Sequence, residues 1–189
     1  MLPFRFDAGY MAALQGADFG VMPSLYEPFG AANEMALLGA VCIARATGGL
    51  LQQIVPWRGC ASFSAAAEQR TRVWFDAAAR PTGLIIRELD DLPTAAADWH
   101  ALNRADYKID GTSPDRVESR ERLPLFRAIA RELRVAIDDA VSLRTSAPEL
   151  YFQMLLEGVD HIERNFSWNR AAEAYVRIGR LHLTGKNRQ

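Results

Sequence analysis

Two glutamates, Glu27 and Glu34, flank a glycine in the stretch "SLYEPFGAANEMALLGAVCIARATGGL", residues 24–50. A carboxylate accepts hydrogen bonds from hydroxyls but repels phosphate. Gly30 opens a predicted helix, so the amides near Phe29, Gly30 and Ala31 lack intrahelical partners and can hold an anion. A second glycine turn, Thr47-Gly48-Gly49, follows the apolar run "AVCIARA", residues 40–46. Acids beside anion-holding turns fit a ligand that is part sugar and part phosphate. The turns take the phosphates and the acids take the hydroxyls.

Elements must bring these residues together, and the apolar pattern supplies them. "FGVMP" after Asp18 is a short run ended by Pro23, as in a buried strand, and Asp7 can cap a helix running to about Gln15. Gly30 to Leu38 is a helix whose small residues Ala31, Ala32 and Ala36 allow close packing on a sheet, and residues 40–46 form a second strand. Residues 65–79 can be helical up to the break at Pro81-Thr82-Gly83, after which "GLIIREL" is a third strand. Strand, helix, strand, long crossover, strand implies an α/β fold with a parallel sheet and right-handed connections. Both glycine turns then lie at the carboxyl ends of strands, where open sheets of this kind bind ligands.

Beyond Leu92 the pattern is helical. "ADYKIDGTSPDRVESRE" is a polar loop, and Leu125, Ile129, Leu133, Ile137 and Val141 recur every four residues as one apolar helix face. Pro148 opens a helix over residues 147–164, and Ser167 can cap a last one from Trp168 to Leu183, with Ala171, Ala172, Tyr175, Ile178 and Leu181 along one side.

Composition bounds the partners. The 189 residues suffice for one good core with an appended helical piece, and 22 basic against 23 acidic residues give a net charge of −1. That balance offers no electrostatic footprint for nucleic acid or an anionic membrane. No apolar run reaches the roughly 18 residues of a membrane span. Cys42 and Cys60 have no metal-ligand spacing, and no leader segment precedes them. A soluble, cytoplasmic, reduced chain without metal or cofactor is expected.

With those residues in place, "ADFGVMPSLYEPFG", "ARATGGL" and the late "FSWNRAAEAYVRI" resemble the C-terminal nucleotide-sugar domain of two-domain (GT-B type) glycosyltransferases, especially bacterial glycogen and starch synthases. The resemblance implies a partial Rossmann-like sheet, the second half of that domain, with a helical insertion. It implies a retaining transfer of glucose from ADP-glucose or UDP-glucose to an α-1,4-glucan. By the same resemblance Glu27 matches the first glutamate of the family's acidic pair, which contacts the donor sugar. Glu34 matches the second at a spacing one residue shorter. Phe29, Gly30 and Ala31 match the turn that meets the diphosphate, and Thr47, Gly48 and Gly49 a further donor-binding turn. Where glycogen synthases carry a Thr-Gln pair after the glycine, this chain has alanine or asparagine.

The likeness covers residues 3–90 and 165–180, giving an expected division into a partial nucleotide-sugar unit (1–90), a helical insertion (91–164) and a C-terminal helix packing back on the first unit (165–189). The acceptor-binding N-terminal domain, the early strands and the family's phosphate-neutralising Arg and Lys have no counterpart. The isolated chain is therefore expected to be a poor catalyst, and its strand at residues 19–23 an exposed sheet edge through which it self-associates. The alternatives are helices of residues 91–164 folded over that gap, and a noncatalytic nucleotide-sugar-binding or assembly module.

Plainer readings accompany each residue. Glu27 can be a turn residue, Glu34 a solvated helix residue, and Gly48-Gly49 the end of a strand. Arg45 can be a replacement phosphate cation or the partner of an acid. His100, His161 and His182 carry no assigned chemistry, Trp168 and Tyr175 suit a core, and the charges of "ESRERLPLFR" a solvated face.

Overall fold

The computed structural model describes residues 9–24, 30–87 and 121–186, with side chains described as far as residue 180. Helix α1 (Met11–Gln15) leads into β1 (Phe19–Met22), α2 (Ala31–Leu37), β2 (Val41–Arg45), α3 (Leu50–Gln53), α4 (Ala65–Thr71) and β3 (Gly83–Ile86). Three longer helices follow: α5 (Pro124–Ser146), α6 (Pro148–Phe166) and α7 (Trp168–Lys186). The strands form a parallel sheet in the order β1-β2-β3. The protein is thus α/β, as its strand-helix-strand pattern requires.

Register follows from burial. Every residue of β2 is buried, as expected of a central parallel strand covered on both faces. Val21 pairs with Ile43, and Ile43 with Leu84; Met22 pairs with Ala44, and Ala44 with Ile85. Because successive side chains alternate, two separate cores form. Cys42, Ala44 and Ile85 pack with Ala32 and Met35 of α2, with Leu50 of α3 and Ile54 just after it, and with Ala67 of α4. Val41, Ile43, Leu84 and Ile86 pack with Ala136, Ala140 and Leu143 of α5 and with Tyr151 and Met154 of α6. The sheet is the middle of three layers.

Close approach on the first face depends on Gly20. A Cβ placed there would lie 2.2 Å from the Met35 sulfur, so α2 sits against β1 over a bare backbone.

On the second face the apolar residues of α5 divide differently from the expectation. Leu125, Ala128, Ala136, Ala140 and Leu143 are buried, whereas Ile137 and Val141 are 40% and 55% exposed. Steps of four residues advance about 40° beyond a full turn at 3.6 residues per turn, so a chain of such steps winds off any one face. Small alanines line the true contact and let the helix approach the sheet.

Helix α4 stops at Thr71, short of the expected residue 79. The Thr71 hydroxyl donates back to the Ala67 carbonyl at 2.8 Å, the amides of Trp74 and Phe75 turn onto the Thr71 carbonyl at 2.9 Å, and Asp76 Oδ1 accepts from the Ala78 amide. β-Branched and aromatic residues followed by an Asp-centred turn leave no reason for the helix to continue.

Helix α6 starts on the second face and then passes beneath the amino ends of the strands. A Cβ at Gly158 would sit 3.7 Å from the Ala36 side chain and 3.9 Å from Thr82, just ahead of β3. Ser167 Oγ accepts from the Arg170 amide at the start of α7, as the sequence predicts for a cap. The core expected of Trp168 and Tyr175 is not formed: they are 90% and 76% exposed.

Candidate functional site: two glycine turns at the carboxyl ends of β1 and β2

Parallel pairing of β1 with β2 places the segment after Met22 beside the segment after Arg45. Glu27 and Phe29 lie outside the described residues. Gly30 ends that segment with φ of 125°, a conformation open to glycine alone, and its carbonyl accepts from the amides of Asn33 and Glu34 to start α2. Ala31 follows as the first helical residue. After β2, the Thr47 amide donates to the Arg45 carbonyl at 2.9 Å and the Leu50 amide to the Thr47 carbonyl at 3.1 Å. Gly48 takes φ of 49°, and Gly49 leads into α3. Gly30, Ala31 and the Thr47-Gly48-Gly49 turn are therefore on one end of the sheet.

Glu34 is exposed on α2, and the Tyr10 hydroxyl donates to its Oε2 at 3.3 Å. Burial first, then the charge and hydrogen bond of Glu34, raises the Tyr10 phenol above its ordinary value. Tyr10 thus keeps its proton and orients the carboxylate. Sequence spacing gave no sign of this contact, because 24 residues and a strand separate the partners.

Positive charge reaches the same end of β2 through two side chains. Arg45 is only 5% exposed and its Nη1 donates to the Ser24 carbonyl at 3.5 Å, tying β2 to the segment that leads toward Glu27. Arg70 of α4 donates to the Ala46 carbonyl at 3.3 Å. Arg70 escaped the sequence reading because only the α3–α4 fold-back brings it there. Arg58 and Arg72 are held by Glu68 at 2.9 and 3.1 Å.

Other reactive groups are muted. Burial pushes the Cys42 thiol up to about 12, and the Cys60 thiol is raised as well, chiefly by burial. Neither is a ready nucleophile. Among the described residues no cluster of His, Cys, Asp and Glu could hold a metal ion, and no helix is long and apolar enough to cross a membrane.

A cleft of ≈ 800 Å³ opens elsewhere, at the amino ends of the strands, between α6 and the turn at residues 74–82. Asp76, Glu157 and Asp160 face it alongside Arg80 and Arg164. Its acids outnumber its cations, so a diphosphate is better placed at the two turns. His161, to which the sequence assigned no chemistry, is part of its wall. Comparison with protein-family models, with curated proteins and with solved structures finds no match.

Proposed function

We propose that the chain carries the donor-binding part of a glycosyltransferase of the glycogen and starch synthase type, the second half of a GT-B C-terminal domain. The substrate class is a nucleotide sugar, ADP-glucose or UDP-glucose, and the transfer is of glucose to an α-1,4-glucan with retention. The single observation that supports the reading most is the parallel pairing of β1 with β2, which puts Gly30-Ala31 and Thr47-Gly48-Gly49 at the same, carboxyl end of the sheet. In this reading backbone amides of the two turns receive the diphosphate, in keeping with ligand binding at the carboxyl ends of strands in open α/β sheets.

Each residue then has a role that its chemistry permits. The amides of Phe29, Gly30 and Ala31 hold the diphosphate, and the Thr47-Gly48-Gly49 turn bounds the sugar's other side. Glu27 accepts hydrogen bonds from donor-sugar hydroxyls. Glu34, oriented by Tyr10, is the second acid. Charge grows on the leaving diphosphate as the glycosidic bond breaks, and fixed positive groups lower that barrier. Arg45 and Arg70 bring two guanidiniums to the end of β2 where this charge develops.

Calorimetric titration with ADP and ADP-glucose tests the reading. Both are expected to bind weakly and saturably, and Glu27→Ala to weaken ADP-glucose while sparing ADP, because the acid meets the sugar alone. Absence of binding by both ligands, or an equal loss for both in the variant, contradicts it. Binding of ADP-glucose with no transfer to maltodextrin, once an acceptor-binding domain is supplied, marks a noncatalytic module instead.

A further inference from the structure

We infer that the cleft beneath the amino ends of the strands is a binding site for an organic cation, a methylated ammonium group, separate from the glycine turns and independent of the donor reading. Its volume, ≈ 800 Å³, lies within the range of about 300–1,000 Å³ typical of ligand sites. The charge and the aromatic surface of its wall select the ligand.

Charge gives the sign. Asp76, Glu157 and Asp160 face the cleft together with Arg80 and Arg164. Arg80 pairs with Glu157, and Arg164 Nε donates to Asp160 Oδ1 at 2.8 Å, so both guanidiniums are already engaged by carboxylates. His161 on the same wall adds no charge at neutral pH, because burial lowers its pKa from the ordinary 6.5 against a smaller opposing pull from the Gln52 backbone. Asp76 is what remains. Its Oδ1 accepts from the Ala78 amide at 3.0 Å, and its carboxylate joins no ion pair among the described residues. Arg58 reaches only the Asp76 backbone carbonyl, at 3.4 Å, and is itself paired with Glu68. The cleft thus presents one uncompensated negative charge.

Aromatic surface decides which cation. Trp74, two residues before Asp76, is 51% exposed at the cleft although it belongs to an ordered turn, its amide being held by the Thr71 carbonyl at 2.9 Å. A large indole left half in water beside a cleft is a docking surface rather than a packing residue. Phe75 and Phe166 line the same wall and are steadied by edge-on contacts with the His161 ring, at centroid distances of 5.7 and 5.6 Å. The faces of such rings are negative and attract cations, the indole most strongly.

Hydration separates the candidates. A bare ammonium holds its water tightly, whereas methyl groups spread the charge and present apolar surface, so a methylated ammonium loses little on leaving water for an indole face. A guanidinium is best met by both oxygens of a carboxylate, and one oxygen of Asp76 is taken by the Ala78 amide. Trp74 then supplies the face, and Asp76 the counter-charge beside it.

Choline and Nα-acetyl-trimethyllysine amide, titrated into the ¹⁵N-labelled chain at neutral pH and low ionic strength, test the site. At least one of them is expected to give saturable shifts at the Phe75 and Asp76 amides, unchanged by saturating ADP, while 3,3-dimethylbutanol, the neutral isostere of choline, binds far more weakly. Trp74→Ala should weaken the cation about fivefold or more. Asp76→Asn keeps the oxygen that accepts from Ala78 but removes the charge, so it should weaken the cation and leave the isostere unaffected. Circular dichroism of both variants should match the parent, since both side chains are exposed. Tighter binding of choline marks a free cation as the ligand, and tighter binding of the lysine derivative marks a methylated side chain of a partner protein. No saturable shift with either cation, equal binding of the isostere, parent-like affinity in either variant, or competition by ADP overturns the inference. Cation binding without ADP or ADP-glucose binding removes the donor reading alone. Nucleotide binding without cation binding removes the cleft alone.

Discussion

At the scale of single residues, the account depends most on Gly30. Its φ of 125° is strained for any side chain, although a Cβ there would meet nothing within 4 Å. The cost of Gly30→Ala is then conformational rather than steric, about 1–3 kcal/mol, and urea denaturation should show a lower midpoint with an unchanged slope. An unaltered midpoint would mean that the turn relaxes freely and is not a fixed anion cradle. His161 makes a second residue-scale prediction. Its folded-state pKa is lowered from the ordinary 6.5, chiefly by burial. The unfolded chain therefore takes up the proton first as pH falls. Its contribution to stability is whole above about pH 6.5 and is lost as pH drops through the folded value. His161→Gln should flatten the stability profile in that window and leave it unchanged in slope above pH 7; a profile identical to the parent's below pH 6.5 would contradict the buried, neutral imidazole.

At the scale of elements, the three strands and the small-residue helix α2 were readable in the sequence. β2 is a continuous apolar run, and the alternation of Ile43 with Ala44 shows two covered faces. The face of α5 was not readable, because the eye follows large residues such as Ile137 and Val141 while the sheet contacts Ala136 and Ala140. Long-range polar ties were equally hidden. The Tyr151 hydroxyl of α6 lies 3.0 Å from the Asp18 carbonyl and 3.2 Å from its carboxylate, fastening the helix to the start of β1. Burial and the Asp18 charge push that phenol up to about 12, so the tie persists throughout the neutral range. Asp139 of α5 likewise accepts from the amides of Ala61 and Ser62 at 3.2 and 2.7 Å. Asp139→Ala removes both bonds and should cost about 1–3 kcal/mol in chemical denaturation, with faster amide exchange at Ala61 and Ser62. Unchanged exchange there would show that the loop holds itself.

At the scale of the whole molecule, the described helices after residue 121 bear on how the sheet is covered. α5 and α6 cover the second face of the sheet, and α6 continues beneath its amino ends. They leave β1 at one edge of the described sheet, hydrogen-bonded to β2. An edge strand with Val21 39% exposed is a template for another strand. Light scattering should therefore show mass increasing with concentration, and Val21→Lys should suppress the increase. A strictly monomeric parent whose β1 amides exchange freely would contradict edge pairing.

The central claim, that a nucleotide diphosphate sits on the two glycine turns, is tested most directly by amide chemical shifts in a ¹⁵N-labelled chain titrated with ADP. The account predicts saturable shifts concentrated at the amides of Gly30, Ala31, Gly48 and Gly49, with the Trp74 indole unmoved. Shifts centred instead on the cleft at Trp74 and His161, or no saturable shift at the glycine amides, would contradict it.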